Sequence, residues 1–250
     1  MKKIVLFLAI IVTIKVNSQN GAQMEYKISS TKGNAGSMKI NYSEYGSASE
    51  FSMNMPQMPG GSMVTKGLVK KSNPELVYII DDKNKTYSTY NNSGQTGNTD
   101  DTKAYIVKKL GEEKVNGYKC VHALVTEDKE THEVWNTKDI ADFNKYAEAL
   151  ATNKKMGSTK RDKALKDAGC DGMPVKMTHK NKDGDMTMEL VKFEKKSFSK
   201  SDFELPAGYT KSESGSATGA PGVKGQAEIM KMSPEERAKY IEEMKKKYGK

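Results

Sequence analysis

The sequence predicts a mainly β protein built on an antiparallel sheet or barrel. Segments in which apolar and polar residues alternate follow one another along most of the chain, and turn-forming residues separate them. A period of two residues places alternate side chains on opposite faces of a strand, which is typical of a half-buried sheet. Within the predicted sheet region, helical periodicity occurs only between residues 137 and 169. Strands at this spacing without intervening helices favour an antiparallel sheet or barrel.

The hairpin between residues 171 and 190 is the clearest of these units. Val175 and Met177 share one side of its first strand. The second strand alternates in the same way through Met186, Met188 and Leu190. Between the strands, Asp183–Gly184 supplies the positive φ angle that a tight hairpin turn needs. Further strands are predicted at residues 23–31, 38–42, 49–55, 62–71, 76–81, 85–90, 104–111, 118–126 and 130–136.

Two short motifs flank this hairpin, Gly172-x-Pro174-Val175 before it and Phe203-x-Leu205-Pro206-x-Gly208-Tyr209 after it. Their order resembles the end of the LolA/LolB-like lipoprotein-carrier superfamily, in a signal-peptide-bearing envelope branch of unknown function (DUF4412-like). The resemblance covers residues 23–211. It implies a strongly curved antiparallel sheet, a half-barrel capped by helices, around an apolar concavity that holds acyl chains in the carriers. The alternation in the second motif predicts a last edge strand, which Pro206 ends.

Composition divides the chain into four parts, predicted as a signal peptide at 1–18, a LolA-like β domain at 19–211 with a helical insert at 137–169, a flexible linker at 212–232 and a charged C-terminal helix at 233–250. In the first part Lys2 and Lys3 precede the apolar run Ile4–Ile14, the pattern of a secretory signal. This run is too short to span a bilayer, which takes about 20 residues. We therefore expect an exported protein, periplasmic or secreted, that does not span the membrane.

The last part begins with a strong helix-start signal. Ser233 is a predicted N-cap, Pro234 follows at the first helical position, and Glu236 is placed to complete a capping box. Apolar residues line one side of the helix at Ile241, Met244 and Tyr248. The helix is interpreted either as a docking segment for a partner or membrane surface, or as a solvated appendage.

The formal net charge is +9, but the distribution of the charges argues against a nucleic-acid partner. A nucleic-acid binder clusters its Lys and Arg side chains with stacking aromatic residues. Here acids and bases are interspersed and alternate with apolar strand residues, which is typical of a solvated sheet face. We expect no nucleic-acid partner.

The methionines Met53, Met55, Met58 and Met63 are concentrated in one short segment. Three interpretations remain open. Thioether sulfurs select Cu(I), so the segment could bind copper. Methionine also adapts to irregular partners, so the segment could form an apolar flap over the sheet. Alternatively, Met53 and Met55 are core strand residues and Met58 lies on a surface loop.

The insert predicts two helices. Thr137 caps the first, in which Ile140, Phe143, Ala147 and Leu150 recur at helical spacing. Ser158 caps the second, more polar helix, which ends at Gly169. The insert is expected either to lie across the open mouth of the sheet or to act as a structural plug.

Cys120 and Cys170 are the only cysteines and flank the insert. Two cysteines in an exported protein usually pair, and closing a loop of about 50 residues would stabilise the fold by roughly 4 kcal/mol in the chain-entropy model. A disulfide is therefore predicted. A metal or redox pair lacks CxxC spacing.

The leading functional hypothesis is a non-catalytic exported protein that binds a hydrophobic ligand, such as a lipid acyl chain, in a concave sheet. The candidate ligand-binding residues are Met53, Met55, Met58, Met63, Trp135, Phe143, Met177, Met186 and Met188. A Met-rich copper-binding protein and a structural or partner-binding module are the alternatives. No catalytic residue, cofactor or metal site is predicted, because no nucleophile, HExxH or phosphate-loop motif is present. The histidines His122, His132 and His179 lack metal-site spacing and are expected to face solvent or to be hydrogen-bonded.

Overall fold

The computed structural model describes residues 20–33, 35–54, 62–91, 104–127, 130–140, 159–180 and 184–212, and in the C-terminal part residues 233, 235–236, 239–240 and 242–243. Its strands are β1 (Gly21–Ser30), β2 (Ala35–Ser43), β3 (Gly46–Asn54), β4 (Ser62–Lys70), β5 (Asn73–Asp81), β6 (Thr86–Asn91), β7 (Tyr105–Val115), β8 (Tyr118–Glu127), β9 (Glu130–Thr137), β10 (Met173–His179), β11 (Met186–Lys196) and β12 (Thr210–Lys211). One α-helix, α1 (Thr159–Asp167), and one 3-10 helix (Lys200–Phe203) complete the elements described between residues 20 and 212.

All twelve strands belong to one sheet, in the order β12-β6-β5-β4-β3-β2-β1-β11-β10-β9-β8-β7. Neighbouring strands are antiparallel, except that the short β12 runs parallel to β6. Because β12 and β7 remain as two edges, the sheet is open. The mainly β prediction and the strands predicted up to residue 136 are confirmed, with β7 extending further than expected. Gly184 has the predicted positive φ, at 105°, whereas residues 181–183 of that turn lie outside the described residues.

The sheet is curved, as a hydrogen bond between two of its distant parts shows. β8 and β11 are separated by β9 and β10, which in a flat sheet would place them roughly 14 Å apart. The side chain of Asn116, in the turn between β7 and β8, nevertheless donates to the carbonyl of Leu190 in β11 at 2.8 Å. The tip of the β7–β8 hairpin therefore folds back over the sheet. Asn116 and Gly117 both have positive φ, which gives the tight turn that this tip requires.

Two apolar clusters stabilise this half of the sheet. The first contains Ala22, Met24, Tyr26, Ile40, Cys120, Trp135, Ile140, Met173, Val175 and Leu190. The second contains Ala123, Val125, Val134, Leu165 and Cys170. The first cluster lies where the hairpin tip meets the central strands. The second lies between the β8–β9 pair and α1.

Helix α1 begins and ends close to the predicted positions. Gly169 follows it with φ 67°, and the N–H groups of Gly169 and Cys170 bond back to the carbonyls of Lys166 and Leu165. This is the Schellman arrangement that ends many helices. Leu165 belongs to the second cluster together with Val134, and Met177 packs against that cluster, so the single α-helix described covers the sheet only near β8–β10. A sheet capped by helices was therefore an overstatement for the described residues, and the predicted first helix, with Phe143, lies outside them.

The segment 197–212, which we name the C-terminal strap, crosses one face of the sheet. It starts beside β1, where the backbone N–H of Phe198 donates to Asn20. Phe203 is buried within it, and Glu204 forms an ion pair with Lys70 of β4. The edge strand predicted at 203–209 was placed too early. Those residues form the end of the 3-10 helix and a turn, and pairing with β6 begins only at Thr210.

The terminal parts of the chain are described only in places. The capping box predicted at Ser233 is present, because Ser233 and Glu236 exchange side-chain to backbone hydrogen bonds. Residues 235–236, 239–240 and 242–243 are helical. The predicted signal peptide and most of the linker lie outside the described residues. No helix among the described residues is both long enough and apolar enough to cross a membrane.

The predicted disulfide is not formed. Cys120 belongs to the first cluster and Cys170 to the second, and both are free and buried. Val121, the neighbour of Cys120, packs against the cluster of Cys170. Since consecutive strand residues point to opposite faces, the Cys120 thiol points away from Cys170. Burial raises the pKa of both thiols.

Candidate functional site

A depression of about 180 Å³ lies on the face of strands β3–β6. The residues that line it include Ser49, Phe51, Gly67, Val69, Ile79 and Tyr90. Gly67 leaves the space open, because a Cβ at this position would lie 2.8 Å from the Ser49 hydroxyl. Tyr90 is 37% exposed at the edge, and burial raises the pKa of its phenol. The depression is thus an apolar surface with a few hydroxyl groups.

Strands β4 and β5 are apolar on both faces. Val69 and Val77 line the depression and are directly opposite each other in register. Leu68 also borders the depression, but its side chain alternates with those of its neighbours and points to the other face, where it is buried. On that face Lys70 pairs with Glu204 of the C-terminal strap. The strap therefore packs on the face opposite the depression. An antiparallel sheet commonly packs one face on a core and leaves the other face in water. The strap accounts for the apolar residues on its own face of β4 and β5, but those on the opposite face require another explanation.

Four of the methionines predicted as ligand residues lie on one line across the sheet, which we name the methionine row. Successive register partners along it are Met63, Met53, Gly36, Ile28, Met188 and Met177. A Cβ at Gly36 would lie 3.2 Å from the Met53 sulfur, so Met53 lies over this glycine. The row shares a face with the depression, because Met53 and Phe51 are two residues apart on β3.

The remaining candidate ligand residues do not join this row. Met186 is 46% exposed at the start of β11. Trp135 is buried in the first cluster. Met55, Met58 and Phe143 lie outside the described residues. The predicted set therefore contributes to the methionine row only Met53, Met63, Met177 and Met188.

A polar cluster that the sequence analysis missed surrounds Trp135. His122 stacks on the indole with centroids 4.1 Å apart, and the Lys176 ammonium lies 4.5 Å from the ring centroid. His122 bridges two carboxylates, with Nδ1 at 3.3 Å from Glu113 and Nε2 at 2.9 Å from Glu133. These contacts run between neighbouring strands and support the expectation that His122 is hydrogen-bonded. Only the register of β7, β8 and β9 brings the residues together, so no local pattern indicates the cluster.

Glu133 is the centre of charge in this cluster. Its other oxygen accepts a hydrogen bond of 2.6 Å from Lys180. This bond, reinforced by that from His122, holds the pKa of the Glu133 carboxyl below its usual value although burial acts the other way. The groups of the cluster satisfy one another, which is typical of a structural network.

The other two histidines lie together at the end of β9 and β10. His132 and His179 are register partners, and their ring centroids are 6.4 Å apart. Met186 is the partner of His179 on β11. Burial lowers the pKa of His132, and the charge of Arg161 on α1 lowers it further.

Comparison with curated proteins finds no match. Among solved structures, an uncharacterized conserved protein from Thermus thermophilus is 8% identical, with a TM-score of 0.45, over 80% of this chain and 93% of that one. LprF from Mycobacterium bovis is 8% identical, with a TM-score of 0.33, over 75% and 90% of the two chains. A chain in the MucA/MucB complex of Pseudomonas aeruginosa is 13% identical, with a TM-score of 0.38, over 76% and 56%.

The family comparison covers the sheet described above. Residues 21–209 match the model of DUF4412, a domain of unknown function. This range begins at the first residue of β1 and ends immediately before β12. Since it includes most of the sequence, the chain belongs to the DUF4412 family.

Proposed function

We propose that this protein is a non-catalytic, exported envelope protein of the LolA/LolB-like superfamily that binds an apolar ligand, such as a lipid acyl chain, on the face of its sheet. The observation that carries the proposal is the second apolar face of β4 and β5. The C-terminal strap packs against one face through Glu204 and Lys70, whereas on the other face the described residues that line the depression all belong to strands. An apolar ligand gains free energy by removing that surface from water.

The dimensions favour a narrow ligand. Small-molecule pockets usually measure about 300–1,000 Å³, and the depression, at about 180 Å³, is smaller. It has room for only part of a long chain, and each methylene buried there would contribute about 0.8 kcal/mol gross. The rest of a long chain would lie along the methionine row, whose flexible thioethers adapt to an irregular partner.

Copper binding at the predicted methionine segment receives less support. Met53 is only 8% exposed, and its register partners are Gly36 and Met63. No histidine or cysteine is a register partner of either methionine. We therefore assign these two residues to the apolar surface.

The test begins with protein purified without detergent. Native mass spectrometry before and after organic extraction should reveal a bound lipid or fatty acid that extraction removes. The extracted protein is then titrated with a fluorescent long-chain fatty acid. Gly67→Leu should weaken binding by about tenfold or more, equivalent to roughly 1.4 kcal/mol, because its side chain fills the depression at the expense only of the Ser49 rotamer.

Gly111→Leu is the matched control. A Cβ at Gly111 meets nothing within 4 Å, and this residue lies on edge strand β7. The control should bind like the unmodified protein. Equal affinity in both variants, or no saturable binding by the unmodified protein, would contradict the proposal and favour a structural or partner-binding module.

A further inference from the structure

We propose that His132, His179 and Met186 form a Cu(I) site at the open end of β9, β10 and β11. The three residues are successive register partners across the three strands. Directly opposed residues on antiparallel strands have Cβ atoms about 4.5–5.5 Å apart and project to the same face. The sheet therefore presents two imidazoles and one thioether side by side.

The observed spacing is slightly greater than that of two imidazoles on one ion. Metal–imidazole bonds are about 2.0 Å long, so two rings on one ion have centroids up to roughly 6.3 Å apart. The rings of His132 and His179 have centroids 6.4 Å apart with an interplanar angle of 39°, so both side chains must rotate towards each other to share an ion. His132 and His179 are both half-buried, and Met186 is 46% exposed. The position is therefore accessible to an ion from solution.

Two thioethers of the methionine row lie next to these ligands. Met177 and Met188 are register partners, each two residues along its strand from His179 or Met186. Side chains two residues apart on a strand share a face. These two sulfurs are therefore the next thioethers on the face of the proposed site.

The ligand set selects the metal, and the local charge admits a cation. Thioethers favour Cu(I), and imidazole also suits copper, whereas magnesium and calcium require oxygen ligands. Arg161 on α1 acts on His132 with a positive charge, and Glu127 and Glu130 act with negative charges. These three side chains carry a net negative charge, so the surroundings do not repel a cation. The site is distinct from the depression, and none of its three ligands belongs to the methionine row, which ends beside them at Met177 and Met188.

The test is anaerobic titration of the full chain with Cu(I) in competition with a chromogenic Cu(I) chelator. One ion per chain should bind. Met186→Leu and His179→Gln should each weaken binding by about tenfold or more, as changes even to outer-shell groups of metal sites do. X-ray absorption of the loaded protein should show both nitrogen and sulfur neighbours.

Two controls separate this site from other sulfur atoms in the chain. Met63→Leu, at the far end of the methionine row, should leave Cu(I) affinity unchanged. The double variant Cys120→Ala/Cys170→Ala should also retain the site. Loss of binding in either control with retention in Met186→Leu, or no binding in competition with the chelator, would overturn the proposal. Met186 is exposed, so its leucine variant should keep the thermal unfolding profile of the parent.

Discussion

The side-chain amide of Asn116 donates a hydrogen bond to the backbone carbonyl of Leu190, at a distance of 2.8 Å. The two residues are separated by 74 positions in the sequence and by two intervening strands in the sheet. This contact holds the hairpin tip over the first cluster, to which Leu190 belongs. Asn116 therefore both forms a tight turn and maintains the curvature of the sheet.

Changing Asn116 should separate these two roles. Asn116→Asp tolerates positive φ but presents an acceptor to an acceptor, so we expect a loss of about 1–3 kcal/mol in the free energy of unfolding. Asn116→Gly keeps the turn and only removes the hydrogen bond, so it should cost about 0.5–1.5 kcal/mol. Urea unfolding measures both. If Asp is tolerated as well as Gly, the contact with Leu190 does not stabilise the fold.

Gly172 should be the least replaceable glycine of the β10 region. It has φ 146°, and a Cβ would lie 2.5 Å from the backbone oxygen of Thr137. The backbone of β9 cannot move as a side chain can, so Gly172→Ala should cost more than about 2 kcal/mol by adding steric strain to the conformational cost.

Gly169→Ala supplies the matched comparison for Gly172→Ala. Gly169 also has positive φ, but a Cβ there meets nothing within 4 Å. Only the left-handed conformation is penalised, so the expected cost is about 1–2 kcal/mol. Thermal unfolding of Gly172→Ala and Gly169→Ala under the same conditions compares the two costs. Equal costs would show that the contact with Thr137 relaxes freely.

Local patterns predicted the elements, and long-range pairing determined what they form. The alternation in Tyr118–Glu127 and the positive φ of Gly117 are properties of neighbouring residues, so sequence alone located β8 and its turn. The pairing of β1 with β11 joins distant segments, and no local signal specifies it. The methionine row depends on this pairing, because Ile28 connects Gly36 to Met188.

The failed disulfide prediction has the same physical origin. The number and spacing of cysteines say that a pair is possible, but not on which face each thiol lies. Strand alternation places Cys120 and Val121 on opposite faces of β8, and α1 leads Cys170 to the face of Val121. The C-terminal strap was missed in part because the alternation that starts at Phe203 is typical of a strand. Only the contacts of Phe203 in the folded protein show that it does not belong to one.

Thiol labelling should find two free, protected cysteines. Cys120 and Cys170 are 2% and 0% exposed, and burial raises the pKa of each thiol. Because the thiolate is the reactive form, a thiol-alkylating reagent at neutral pH should react slowly with the native protein. In denaturant without reductant, mass spectrometry should show two added groups per chain. Absence of labelling in denaturant until reductant is added would restore the disulfide.

Glu133 should make stability depend on acid pH. The hydrogen bond from Lys180, aided by that from His122, lowers the pKa of the Glu133 carboxyl in the folded protein. Its contribution is therefore complete above the unfolded-state value of about 4.3 and is lost as pH falls through the lower folded-state pKa. Lys180 is 53% exposed, which limits the expected contribution to about 1 kcal/mol.

Glu133→Gln should thus be less stable than the parent by about 1 kcal/mol at pH 7, and the difference should shrink as pH falls below about 4. Glu130→Gln is the control, because Glu130 is an exposed residue of the same strand and its replacement should change stability by less than about 0.5 kcal/mol. Urea unfolding across this pH range measures both differences. The difference for Glu133→Gln could instead stay constant down to pH values at which the Glu133 carboxyl is protonated. That result would show that the shape of the side chain, and not its charge, stabilises the contact between β9 and Lys180.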